Sequence, residues 1–179
     1  MIFRLLFEDE YYLAAEKPAG LPSQATVDKR RPDFFSLLKK QMQTERGSAF
    51  YLGSHHRLDR DTSGVMIFTK SKSANESLAH LFKTHLIQKT YLCLTAKKST
   101  PERWEVENHL APLRDLHTKK MKMHSVRSGG DKAHTLFRCL EVYPQGLLIE
   151  AQPRTGRMHQ IRVHLSEQGL GIFGEDLYP

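Results

Sequence analysis

Apolar residues fall in short runs along the chain, and the spacing within each run separates strand from helix. Residues 2–7 (IFRLLF) and 11–18 (YYLAAEKP), on either side of Glu8-Asp9-Glu10, predict a short strand pair around an acidic turn. Pro18-Ala19-Gly20-Leu21-Pro22 ends the pair as a loop, and Gln24, Thr26 and Asp28 continue it. Phe34, Leu37, Leu38 and Met42 then share one face of a helix whose first turn follows Pro32. GVMIFTK (64–70) predicts a continuous apolar strand. Ser73-Ala74-Asn75-Glu76 reads as a capping box opening a helix with Ala74, Leu78, Leu81 and Phe82 on its core face, ending near His85.

Beyond this point strand patterns dominate. IQKTYLCLTAK (87–97), WEVENHLA, KKMKMHSV, HTLFRCLEVY and GLLIEAQP alternate or carry β-branched and aromatic residues. Arg154-Thr155-Gly156 breaks the pattern, and from Arg157 the positions of Met158, Ile161 and Leu165 become helical, predicting a helix over RMHQIRVHLSEQ stopped by Gly169 and Gly171. Strands joined mostly by short turns and interrupted by a few helices give an α+β class: a largely antiparallel mixed sheet with flanking helices. With 179 residues, no repeat and no low-complexity linker, a single domain over 1–179 is expected.

Composition narrows the compartment and the partner. No apolar run approaches the roughly 20 residues of a membrane helix, and the start, MIFRLLFEDE, lacks the regions of a secretory signal, so a cytoplasmic protein without membrane association is expected. Cys93 and Cys139 sit far apart among apolar or β-branched neighbours and read as two buried thiols rather than a disulfide or a metal knuckle. The net charge of +7 favours a polyanionic partner. Much of it sits between 114 and 138, where Arg114, Lys119, Lys120, Lys122, Arg127, Lys132 and Arg138 face only Asp115 and Asp131. Lys119, Lys120 and Lys122 are accordingly candidates for contacts to an RNA backbone, against the plainer alternative of a solvated face.

The densest chemistry lies in HHRLDRDTSGV (55–65), at the mouth of the strand that follows. Asp61-Thr62-Ser63-Gly64 lacks the glycine placement and the second carboxylate of an aspartic protease, and Asp61 stands where a G-x-S-x-G elbow needs its first glycine. Thr62 and Ser63 therefore read as turn formers, and Asp59 or Asp61 taken alone as an Asx-turn. His159 and His164 are five apart, with no H-E-x-x-H and no cysteine pair, so no metal site is expected. No phosphate-gripping glycine loop is present, so no nucleotide cofactor is implied.

Taken together, several segments resemble the RluA-type family of RNA pseudouridine synthases. Residues 56–65 match its H-R-L-D-x-x-T-S-G signature at every specified position. Glu8-Asp9-Glu10 followed by Glu16-Lys17-Pro18-Ala19-Gly20-Leu21 resembles its first motif, Gln88-Lys89-Thr90-Tyr91 its K-x-Y strand motif, and residues 155–164 its G-R-x-H-Q-I-R-V-H motif, with Met158 where threonine is common. The resemblance implies the pseudouridine synthase fold and isomerisation of uridine to pseudouridine in rRNA or tRNA, without metal or organic cofactor and with no obligate protein partner. It implies that Asp59 is the essential carboxylate, as nucleophile or as base. Arg57 would fill the space left by the flipped nucleotide, Tyr91 would stack on the uracil, and Arg162 would pair with Asp59. Because the first motif begins by residue 8, no accessory N-terminal RNA-binding domain is expected. Gly174-Glu175-Asp176-Leu177-Tyr178 resembles the G-D-x-x-Y element, after which the family continues with strand-rich chain, so this chain is either a short variant or lacks a C-terminal segment. The competing readings are a non-catalytic RNA-binding module, which gives Tyr91 and Arg162 no purpose, and a metal-dependent phosphodiesterase, which needs an acidic cluster that is absent from the sequence.

Overall fold

The computed structural model describes residues 2–28, 30–96, 99–114 and 121–178. They form an α+β structure in which every strand pairing is antiparallel; the expected mixed sheet contains no parallel pair among the described residues. The chain divides into two compact units, Met1–Leu86 and Ile87–Pro179.

In the first unit β1 (Leu5–Glu8) and β2 (Tyr12–Lys17) form the expected hairpin. Asp9 closes its turn by accepting from the N–H groups of Tyr11 and Tyr12 at 2.8 and 2.6 Å. The sheet order is β1-β2-β4-β3, with β3 (Gly53–Ser54) a two-residue edge that hydrophobic patterning does not reveal and β4 (Gly64–Thr69) the predicted apolar strand. Leu13 and Ala15 of β2 pair with Phe68 and Met66 of β4, and all four are fully buried. The helix α1 (Phe34–Arg46) is capped by Asp33, whose side chain accepts from Ser36 N–H, and it buries Phe34, Leu38 and Met42. Phe34 and Phe35 meet the Phe68 ring at centroid separations of 5.9 and 6.1 Å, which joins helix to sheet.

The helix α2 (Asn75–Lys83) begins differently from expectation. Its N-cap is Ala74, with no side-chain cap, so the Ser73–Glu76 box does not form; the Ala74 N–H is met instead by Ser71 Oγ at 3.3 Å. Asn75, inside the supposed box, turns its amide away from the helix end. Its Oδ1 accepts from Thr69 Oγ1 at 2.6 Å and lies 3.2 Å from His55 Nε2, and its Nδ2 donates to Tyr51 at 2.8 Å.

The second unit is built on the sheet β5-β9-β8-β6-β7, from β5 (Tyr91–Ala96), β6 (Arg103–Arg114), β7 (Met121–Val126), β8 (Asp131–Val142) and β9 (Gly146–Pro153). The strand predicted from 87 starts at Tyr91, and β8 bulges between Cys139 and Glu141. One face buries Cys93, Phe137, Ile149 and Ala151 with Leu165 and Leu170, and further along it Leu110, Met123, Ala133, Val163 and Tyr178. Of the two cysteines only Cys93 is buried; Cys139 is half-exposed beside the bulge.

The helix α3 (Gln160–Glu167) starts three residues later than its periodicity predicts. His159 takes a left-handed conformation (φ 55°), which an α-helix does not admit, so Arg157, Met158 and His159 form a turn. Met158, the position at which the chain departs from the motif it resembles, thus lies in that turn. The buried side chains of α3 are Gln160, Val163, His164 and Leu165, a face rotated from the expected one, and Gly169 at φ 69° ends the helix as its position suggests.

Candidate active site

The loop 55–63 is fastened on both sides of Asp59. On one side Leu58 is buried, its N–H donates to Ser23 Oγ at 3.0 Å, and Ser23 Oγ donates back to the Leu58 carbonyl at 2.6 Å. On the other side the Arg60 carbonyl accepts from Lys17 Nζ at 2.9 Å. Lys17 is fully buried opposite Gly64, and its ammonium also donates to the carbonyls of Pro18 (2.8 Å) and Leu21 (2.7 Å), which accounts for all three of its protons. Burial lowers its pKa, while the charges of Asp61 and Asp59 act in the opposite sense. A cation therefore stands under the loop that carries both carboxylates. The Thr62 N–H donates to the Asp59 carbonyl at 3.2 Å and tightens the turn.

The loop is also tied to β4. After Ser54 the strand β3 ends, and the His56 ring continues the ladder by accepting the Ile67 N–H at Nε2, 2.9 Å away. A backbone N–H can only donate, so Nε2 is unprotonated in this arrangement. The ring stacks on Phe82 of α2 at 4.3 Å. Asp59 is half-buried and Arg57 exposed, whereas Asp61 forms an exposed pair with Arg60 through Nε (2.9 Å) and Nη2 (2.7 Å). The two aspartates are thus unlike: Asp61 points out to a neighbouring arginine, and Asp59 sits between two anchored peptides.

In the second unit the segments 88–91 and 155–164 meet. Lys89 Nζ donates to the Thr155 carbonyl at 3.0 Å, with burial lowering its pKa. Gln160, 4% exposed, uses both ends of its amide. Its Oε1 accepts from Thr155 Oγ1 and Arg157 N–H, and its Nε2 donates to the His134 carbonyl and Thr135 Oγ1, all within 3.0 Å. These bonds hold the turn before α3 against β8. Tyr91 begins β5 opposite Ala151 and packs on the sheet core, partly exposed. Arg162 projects from α3, and Glu175, a residue of the element resembling G-D-x-x-Y to which the sequence assigns no role, holds it through Nε–Oε2 (2.5 Å) and Nη2–Oε1 (2.8 Å). Burial raises the Glu175 pKa, but the hydrogen bond from Arg162, those from the Leu177 and Tyr178 N–H groups and the guanidinium charge together bring it below the usual value.

Among the described residues the cations of the basic segment are more dispersed than the sequence suggests. Lys119 and Lys120 lie outside the described residues. Lys122 sits on β7, half-buried, one position before the buried Met123 and so on the opposite face. Lys132 is paired with Glu107 at 2.8 Å, and Arg138 is six residues further along β8, about 20 Å away. A groove of about 420 Å³ on the outer face of the second sheet, lined by Arg103, Glu105, Arg138 and Glu150 among others, contains no residue of the four motifs. Among the described residues no three His, Cys, Asp or Glu side chains are grouped as a metal ion requires, and no helix is long and apolar enough to cross a membrane.

A family model described as RNA pseudouridylate synthase matches residues 11–167, which takes in the anchored loop, β5 and α3. The chain belongs to the RNA pseudouridylate synthase family. It is 34% identical over 175 residues to ribosomal large subunit pseudouridine synthase C of Rickettsia bellii, covering 97% of this chain and 56% of that protein. It is 31% identical over 179 residues to ribosomal large subunit pseudouridine synthase D of Zymomonas mobilis, covering 97% and 55%. Among solved structures it is similar to human RNA pseudouridylate synthase domain containing 4, with TM-score 0.79 and 29% identity over 97% of this chain and 68% of that one. The chain spans about half the length of the curated relatives it matches. Within the family frame, the residues that sequence reasoning missed are the fasteners: Lys17, Ser23, Gln160 and Glu175. Lys17 lies inside the first motif and Glu175 inside the C-terminal element, but side-chain type alone does not announce a buried tether.

Proposed function

We propose that this protein isomerises uridine to pseudouridine in RNA, with Asp59 as the essential carboxylate. The observation that carries the reading is the double anchoring of the loop: Leu58 bound by Ser23 and Arg60 bound by Lys17 hold the residue on each side of Asp59, while Asp59 itself stays half-buried. Membership of the family supports the reaction class. In that reaction the N1–C1′ bond breaks, the uracil turns, a C5–C1′ bond forms, C5 loses its proton and N1 gains one, so no oxidant or cofactor is consumed. Asp59 would act either as nucleophile at the sugar or base, or as the base that takes a ribose proton. A stacked base must leave the helix for this chemistry, and the exposed Arg57, two residues from Asp59, suits the vacancy it leaves. Tyr91 would stack on the extruded uracil, and Arg162 would pair with Asp59 to keep it ionised and oriented.

The names of the relatives make ribosomal large-subunit RNA the first substrate to try, and tRNA, the other substrate that the sequence resemblance implies, comes second. The test is tritium release from RNA carrying 5-tritiated uridine, run alongside RNA binding. Wild-type protein should release tritium, and Asp59→Ala and Asp59→Asn should abolish release while binding RNA and melting as wild type does. Asp61→Ala should be far milder, because its pair with Arg60 is exposed and worth at most about 1 kcal/mol. A dead Asp61 variant beside an active Asp59 variant would overturn the assignment. Binding by the wild type without release from either RNA would favour a non-catalytic RNA-binding module.

A further inference from the structure

Arg162 is gripped from one edge. Glu175 takes its Nε and Nη2, and the same Oε1 also accepts from the N–H groups of Leu177 at 2.7 Å and Tyr178 at 3.3 Å. The Glu175 side chain is 9% exposed. The Tyr178 ring lies against the guanidinium, 5.2 Å from centroid to Cζ, and Tyr178 is fixed in turn: its hydroxyl accepts the Met123 N–H at 2.7 Å and shares a 2.8 Å hydrogen bond with His159 Nδ1. A carboxylate, two backbone donors, an aromatic face and a strand are thus arranged around one arginine.

We propose that Glu175 is a positioning residue for the RNA reaction: by holding the Nε–Nη2 edge it fixes the plane of the Arg162 guanidinium and turns its other edge in one direction. The inference rests on the role proposed for Arg162 in that reaction. A guanidinium on a flexible stem samples many directions, whereas a side-on bidentate pair with a buried carboxylate fixes both plane and heading. Packing alone does not call for such a pair. Tyr178, Met123 and Val163 already join the C-terminal segment to α3 and β7 through apolar contact, and a buried ion pair is weak evidence for stability as such. The grip on one edge is what an arginine needs if its work lies at the other.

The experiment measures kcat and KM for tritium release, and melting temperature, on Glu175→Gln, Glu175→Asp, Glu167→Ala, Arg162→Lys and the double variant Glu175→Gln/Arg162→Lys. Glu167 ties the far end of α3 to Ser125 N–H and Asn108, so its loss reports helix docking without touching Arg162. Glu175→Gln should lower kcat roughly 10- to 100-fold with KM little changed, as a misaimed catalytic group does. Glu175→Asp, which keeps the charge, should recover most of the rate, and the double variant should be no slower than Arg162→Lys alone. Glu167→Ala should lower the melting temperature and leave kcat near wild type. The inference is overturned if Glu175→Gln retains kcat, if Glu167→Ala reproduces its loss, or if the losses from Glu175 and Arg162 multiply in the double variant. Wild-type kcat in Arg162→Lys would instead remove the role of Arg162 on which the inference rests.

Discussion

Lys17 on β2 donates to the carbonyl of Arg60, 43 residues later, and so fixes the residue that follows Asp59. The same ammonium holds the carbonyls of Pro18 and Leu21, so one buried charge gathers three carbonyls from two chain segments. Its stem is the inward continuation of Leu13 and Ala15 along β2, so the strand that builds the core also delivers the tether.

Lys17→Met keeps the stem and removes the charge. Three carbonyls then lose a charged donor, and the cost should be on the order of 3 kcal/mol, since a hydrogen bond to a charged group contributes about 1.5–3 kcal/mol and some of these carbonyls can reach water. Urea unfolding should show the midpoint shift. Tritium release per folded molecule should fall as well, because the loop around Asp59 is left attached on the Ser23 side alone. A variant with full activity and unchanged midpoint would show that the tether is dispensable.

Gly53 lies where β3 passes the knot of Tyr51, His55, Thr69 and Asn75. A Cβ built at Gly53 would clash with Thr69 Oγ1 and come within 2.9 Å of Asn75 Oδ1, so Gly53→Ala must disturb the 2.6 Å hydrogen bond between the buried Thr69 and the half-buried Asn75. The expected destabilisation is about 1–3 kcal/mol, the usual range for overpacking. Gly53→Ala combined with Thr69→Ala, which removes the Oγ1 that the new methyl meets, should cost less than the sum of the two separate losses. Strict additivity would mean that the clash is not the cause.

The strands were legible because burial on one face writes itself into alternation: Leu147, Ile149 and Ala151 of β9 point to the core and are fully or nearly buried. The start of α3 was not, because Met158, Ile161 and Leu165 have helical spacing whether or not the first turn forms. What prevents that turn is the left-handed His159 and the side chain of Gln160 taking up Arg157 N–H, neither of which alters the hydrophobic pattern. The false capping box has the same origin. Ser73 and Glu76 have the right spacing, yet Asn75 is drawn to Thr69 and Tyr51, contacts made by folding and absent from local sequence. For the site, the resemblance at 56–65 points to Asp59 as the candidate, whereas the groups that hold its neighbours Leu58 and Arg60 lie 35 and 43 residues from them in sequence.

Neutralising Lys119, Lys120 and Lys122 together should weaken RNA binding and flatten its dependence on salt by about 0.7–0.9 in log–log slope for each phosphate that is no longer neutralised. The dispersal of the remaining cations sharpens this expectation. Lys132 already faces Glu107, so Lys132→Gln alone should leave the slope nearly unchanged. Titration of binding against salt for both variants decides it, and an unchanged slope in the triple variant would return these lysines to a solvated face.

His164 gives the protein an acid-sensitive point. It is fully buried, its Nε2 lies 3.0 Å from Asn108 Oδ1, and burial lowers its pKa to about 4, with Glu167 opposing that shift and His134 reinforcing it. In the unfolded chain the imidazole returns to its ordinary value of about 6.5. Between these values the unfolded state binds the proton and the folded state does not, so protonation favours unfolding. The contribution of His164 is therefore fully present above about pH 6.5 and is lost as pH falls towards 4, at up to about 1.4 kcal/mol per unit. Glu175, whose carboxyl is held below its ordinary value, adds its own loss in more acidic solution, so unfolding curves are compared between pH 7 and 5. His164→Gln should be less stable than wild type at pH 7, but its stability should change less between pH 7 and 5. Parallel pH dependences in the two proteins would mean that His164 is not the group whose protonation unfolds the chain.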